Sequence, residues 1–241
     1  MKRLIIATLA VAVSAGWAYA QQTIRMGTEG AYEPYNFVND KGEVDGFERE
    51  LGDKLCEIAG YKCTWVTNEW DSIIPNLTSG NYDTIMAGMS ITDERKQKIN
   101  FTQEYYPPDP SAYVALAGAS DDVTKGNVAA QTNTIQAGYV TESGATLVEY
   151  ATADETIAAV KNGEADCVLA DKGYLDKIVE DSNGELVFVG KPTPIGGGIG
   201  MGIRKSDTEM LGKFNGAIDK VKADGTLNAM IEKWFKRKGP Y

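Results

Sequence analysis

The stretch from Leu77 to Ala87 is echoed by the stretch from Val160 to Ala170. Each reads as a helix end, a glycine that stops it (Gly80, Gly163), an aspartate (Asp83, Asp166) and a short buried strand. Helix-Gly-x-x-Asp-strand is a common α/β connection, so one such match on its own has coincidence as a sufficient explanation. The flanking periodicity favours repetition. Strand over 23–28, helix over 47–59, strand over 62–67 and helix over 71–79 lead into the strand 82–87. After Pro107, Pro108 and Pro110 the pattern restarts, with strands over 112–117 and 126–130, a helix from 134 to about 142, a strand over 147–150, a helix over 154–162 and a strand over 166–170. Alternation of this kind is the doubly wound α/β type, and prolines between two such units read as a crossover. The glycine run from Gly196 to Gly202 lacks both phosphate-loop patterns and is followed by a strand rather than a helix, so it is read as a second crossover. The expected fold is α/β, two doubly wound lobes joined by two crossover strands, with 21–108 plus 197–241 as lobe 1 and 109–196 as lobe 2. From Asp207 onward the stripes Leu211, Phe214, Ile218, Val221 and Leu227, Met230, Ile231, Trp234, Phe235 are core faces of two helices.

Residues 1–20 stand apart. Lys2 and Arg3 precede an apolar run from Leu4 to Val13, and the segment closes on Ala18-Tyr19-Ala20, which reads as a cleaved signal peptide. The alternative, a membrane anchor, needs a longer run than this. The chain carries a formal net charge of −10, and loss of Lys2 and Arg3 makes the remainder more acidic still, so nucleic acid is excluded as a partner. With 0 histidines, Ser-His and Cys-His nucleophiles are excluded. With that and 3 cysteines, no zinc site, other metal or cofactor is expected. Export permits pairing of Cys56, near the end of an amphipathic helix, with Cys63 in the next strand; two buried thiols are the other reading. Cys167 is left free.

In open α/β sheets, ligands lie beyond the carboxyl ends of the strands. Strand 82–87 runs out into Gly88-Met89-Ser90 and then Arg95, bringing backbone amides, a hydroxyl and a guanidinium. Strand 166–170 runs out into Asp171. An arginine facing an aspartate across a cleft suits a zwitterion, the guanidinium taking a carboxylate and the aspartate an ammonium; ordinary surface charge is the bland alternative. The first strand ends at Glu29 and Tyr32, an acid for a cationic side chain and a ring that, with Trp70, offers two flat faces to it; core packing is the alternative for both rings.

Over nearly its whole length beyond residue 20, the chain resembles the periplasmic solute-binding proteins of polar amino-acid ABC importers, close to the lysine/arginine/ornithine-, histidine- and octopine-binding branch. The resemblance rests on the segments 27–37, 46–48, 70–75, 89–95, 100–102 and 224–226, which include Trp70-Asp71-Ser72-Ile73-Ile74-Pro75 and Ser90-Ile91-Thr92-Asp93-Glu94-Arg95. It implies the type II (Venus-flytrap) fold, a monomer in the periplasm, a free amino acid as ligand, an inner-membrane permease as partner and no catalysis. It maps the carboxylate holders to Ser90, Arg95 and Thr134, the ammonium anchor to Asp171, the cleft aromatics to Tyr32 and Trp70 and the side-chain acid to Glu29. It also implies paired cysteines at Cys56 and Cys63. The sequence departs from the branch at Ala87-Gly88, where basic-amino-acid binders often carry serines, and at Ile135, where a polar residue is usual. Those departures favour an uncharged ligand, but Glu29 motivates the expectation of a cationic amino acid or an opine, with a polar uncharged amino acid as the alternative ligand and an exported dehydratase as the alternative class. A sensor domain is disfavoured because the chain ends at Tyr241 without a spanning segment.

Overall fold

A computed structural model describes residues 21–241; the signal-peptide reading falls on residues 1–20, outside the described residues. In chain order the elements are β1 (Thr23–Thr28), β2 (Ala31–Tyr32), β3 (Asn36–Val38), β4 (Val44–Asp45), α1 (Phe47–Ala59), β5 (Lys62–Thr67), α2 (Ile73–Thr78), β6 (Thr84–Ile85), α3 (Asp93–Lys98), β7 (Asn100–Tyr106) and β8 (Ser111–Leu116). Then follow β9 (Asn127–Gln131), α4 (Ile135–Ser143), β10 (Thr146–Tyr150), α5 (Ala153–Lys161), β11 (Cys167–Asp171), α6 (Lys172–Asp181), β12 (Leu186–Thr193), β13 (Ile199–Ile203), α7 (Thr208–Ala223) and α8 (Thr226–Phe235).

Two five-stranded sheets have the orders β5-β1-β6-β13-β7 and β10-β9-β11-β8-β12, and a small sheet joins β2, β3 and β4. In each large sheet four strands share one direction and a single strand, β13 in the first and β8 in the second, runs against them. The links 107–110 and 194–198 carry the chain from one sheet to the other and back.

The sequence echo is structural. Gly80 and Gly163 both adopt the left-handed conformation, φ 83° and 74°, which stops the preceding helix. Asp83 Oδ2 accepts from the Arg25 amide at 2.9 Å and Asp166 Oδ2 accepts from the Asn127 amide at 2.7 Å. In each copy the aspartate pins its own strand to the neighbouring parallel strand, because its backbone N–H also donates to that same residue's carbonyl.

α1 and β5 fall where the apolar periodicity put them. Phe47, Leu51 and Leu55 are fully buried against the core, about 1.5–3 kcal/mol for each side chain so removed from water. The helix expected over 71–79 begins instead with a 3-10 turn, Trp70–Ser72, before α2. The strand expected over 82–87 is regular only at Thr84–Ile85. Cys56 and Cys63 are joined by a disulfide, with Cα atoms 6.1 Å apart, and Cys167 is free and buried. No helix among the described residues is long and apolar enough to cross a membrane.

Candidate functional site

The two echo strands deliver their carboxyl ends to the same gap between the sheets. β6 leads to Gly88 and Ser90; β11 ends on Asp171. β1 brings Glu29 and Tyr32 from the first sheet's side, and the β9–α4 turn brings Thr134 from the second's. Glu29, Tyr32, Trp70, Gly88, Ser90, Arg95, Thr134 and Asp171 all line one cavity of about 30 Å³, together with Ala87, Gln131, Ile135 and Gln136.

Asp171 occupies the N-cap position of α6, where a carboxylate ordinarily accepts from the helix's first amides. Its oxygens accept elsewhere: Oδ2 from the Tyr32 hydroxyl at 3.0 Å and Oδ1 from Gln136 Nε2 at 2.8 Å. Burial pushes its carboxyl up to about 7, Asp109 adding to the rise while the hydrogen bonds and Arg95 oppose it. Glu29 is raised to about 7 as well, chiefly by desolvation, with Gln131 Nε2 donating to its Oε1 at 2.6 Å and Asp154 and Asp71 repelling its charge. The fold thus holds two acids whose ionisation at neutral pH a neighbouring cation would favour.

Arg95 projects from the first turn of α3, whose N-cap Thr92 accepts from the Arg95 amide. Its guanidinium donates to Ser90 O at 2.9 Å and Asn133 O at 3.4 Å and lies 5.3 Å over the Trp70 ring. Burial lowers it to about 10, so it remains cationic at neutral pH. Thr134 caps α4, its hydroxyl donating to Gln131 O and accepting from the Ala137 amide. The Gly88 amide donates to Glu48 Oε1 at 2.7 Å, a buried acid further bonded by Tyr105 and by Asn36 at 2.7 Å.

Two contacts add to the sequence reading. Tyr32 stacks on Tyr174, centroids 4.3 Å apart, and Trp70 carries Arg95, so each ring already has a partner on one face. Glu29 is held by a side-chain amide from the other sheet. Gln131 and Gln136 are not announced by the sequence as partners of the two acids. Their meaning comes from contacts 102 and 35 residues away in sequence, and their one local signal is proximity to Thr134.

A cavity between two linked α/β lobes, lined by an arginine from one and an aspartate from the other, defines the two-lobed class of solute receptors. Residues 24–237 match bacterial extracellular solute-binding proteins, family 3, and the chain belongs to that family. It is 32% identical to the L-arginine-binding protein of Pseudomonas aeruginosa, over 98% of this chain and 97% of that one. It is 31% identical to the lysine/arginine/ornithine-binding periplasmic protein of Escherichia coli, with the same coverage. Among solved structures, a periplasmic His/Glu/Gln/Arg/opine family-binding protein from Silicibacter pomeroyi in complex with lysine is 66% identical, with a TM-score of 0.88 over 90% of this chain and 100% of that one. These relatives are binding proteins.

Proposed function

We propose that this cavity takes one free α-amino acid with a cationic side chain, lysine and arginine foremost, and that the protein delivers it from the periplasm to an ABC permease. The observation that carries the reading is that three ionisable groups, Arg95, Asp171 and Glu29, line one cavity. In this reading Arg95, Ser90 and Thr134 hold the α-carboxylate, Asp171 takes the α-ammonium and Glu29 takes the side-chain cation, with Tyr32, Trp70 and Gly88 shaping the space between. The relatives' names and the lysine complex of a 66% identical protein support the ligand class.

A space of about 30 Å³ holds about one water and no amino acid. In this reading the lobes, 21–108 with 197–241 and 109–196, part about the two links to admit the ligand, which then draws them together. Its contacts to both lobes exist only when they are closed, which is the differential affinity that shifts the population. No bond is made or broken, and the protein works as a monomer. A thermal-shift screen over free amino acids and opines tests this: lysine or arginine should raise Tm most. A set in which no amino acid or opine moves Tm, or in which an acidic amino acid moves it most, contradicts the reading.

A further inference from the structure

Asp109 lies in the first link with its side chain buried, and its two oxygens collect donors from three separate segments. Oδ2 accepts from the Tyr35 hydroxyl at 3.0 Å and from the Gly173 amide at 2.7 Å. Oδ1 accepts from Nη1 and Nη2 of Arg237 at 3.1 and 3.0 Å, a two-pronged contact from the segment that follows α8. The close approach of Gly173 depends on its missing side chain, since a Cβ there would lie 2.7 Å from the Tyr35 hydroxyl and 2.8 Å from Asp109 Oδ2.

The same link is joined step by step to the end of β11. Ser111 pairs with Asp171, the Lys172 amide donates to Pro110 O at 3.0 Å, and Gly173 donates to Asp109. Asp109 therefore stands directly behind the ammonium anchor, at the pivot about which the lobes are proposed to move. The negative charge of Asp109 disfavours ionisation of Asp171, and a cation held on Asp109 offsets that charge. The charged and titratable groups facing Asp171 are Asp109, Arg95, Tyr32 and Tyr35. Those facing Asp109 are Arg237, Tyr35, Tyr106 and Asp171. Arg237 is the cation of the second set, lying 5.0 Å over the Tyr106 ring and donating to its hydroxyl.

We propose that Arg237 is a positioning residue for amino-acid binding: acting through Asp109, it offsets the charge behind Asp171 and holds that strand end fixed at the pivot. The inference rests on the ligand reading above for the role of Asp171, and it extends the site to a residue in the C-terminal segment that does not line the cavity.

The test follows the Asp171 side-chain carboxyl by ¹³C NMR titration in the ligand-free wild type, Arg237→Gln and Asp109→Asn/Arg237→Gln, with lysine affinity measured by calorimetry from pH 5.5 to 9. In Arg237→Gln the Asp171 midpoint should rise by about one unit, and lysine affinity near pH 6.5 should fall about tenfold with little change at pH 9. In the double variant both should return to the wild-type values or below, because the second carboxylate is gone. A loss of thermal stability in Arg237→Gln without a shifted midpoint would mark a merely structural residue and overturn the inference. A midpoint that shifts in a chain that takes up no amino acid would support the coupling and overturn the ligand reading instead.

Discussion

The Tyr32 hydroxyl donates to Asp171 Oδ2 at 3.0 Å across the gap between the two sheets, and the Asp171 amide donates back to the same hydroxyl at 3.3 Å. A donor from one lobe thus already occupies the carboxylate that is proposed to receive the ligand's ammonium from the other.

Asp171→Asn should weaken lysine and arginine by two orders of magnitude or more, as removal of one partner of a buried charged pair costs roughly 3–5 kcal/mol. Deaminated analogues, which present no ammonium, should lose far less. Calorimetry with both ligand sets decides it, and equal losses would place Asp171 outside the site.

Arg95→Ala should abolish detectable binding of every amino acid, because the ligand's desolvated carboxylate loses its cation at a comparable cost of roughly 3–5 kcal/mol. The ligand-free protein should stay folded, since the guanidinium's hydrogen bonds go to two carbonyls at a partly exposed edge. Undiminished affinity in a folded variant would remove the carboxylate anchor from the account.

Asp171 and Glu29 both titrate at about 7 in the fold, against roughly 4 in an unfolded chain. Between those limits the folded chain binds more protons than the unfolded one, so the stability these groups contribute is present at low pH and is lost as pH rises through 7. Binding runs the opposite way, because a cationic ligand needs both acids ionised. Lysine affinity should therefore climb from pH 5 to 8 while this contribution to ligand-free stability declines. Affinity that is flat across that range would mean neither acid meets a cation.

Cys56 and Cys63 should appear as one crosslinked peptide pair in unreduced exported protein, and reduction should cost about 2.5 kcal/mol for so short a loop. Cys167 should resist alkylation until the protein unfolds, because burial pushes its thiol up to about 12 and leaves almost no thiolate at neutral pH. Mass mapping before and after denaturation checks both, and three modifiable thiols in unfolded, unreduced protein would contradict the pairing.

The parts of the fold legible in the sequence are those whose cause is local. α1 and β5 follow from apolar spacing, Gly80 and Gly163 announce the helix stops, and the strand ends at Ser90 and Asp171 follow from where the buried runs give out. The small sheet was not legible, because β2, β3 and β4 hold two or three residues each, too few for an alternation to show. β7, α6 and β12 were also missed. The cue at the start of α6, Asp171, is turned to the cavity and read as a site residue rather than as a helix start. Gln131, Gln136 and Arg237 were not legible as partners of acids, since each reaches its carboxylate only through the folded topology.

The measurement closest to the central claim compares lysine, arginine, glutamine and glutamate by calorimetry on the wild type and on Glu29→Gln. The account predicts that lysine and arginine bind the wild type more tightly than either of the others, since the buried Glu29 carboxylate is satisfied best by a cation at its side, gains less from a neutral amide and is repelled by an acid. It predicts too that Glu29→Gln selectively weakens the two bases and narrows the ranking. Glutamine or glutamate binding the wild type more tightly than both bases, or a ranking unchanged in the variant, would contradict it.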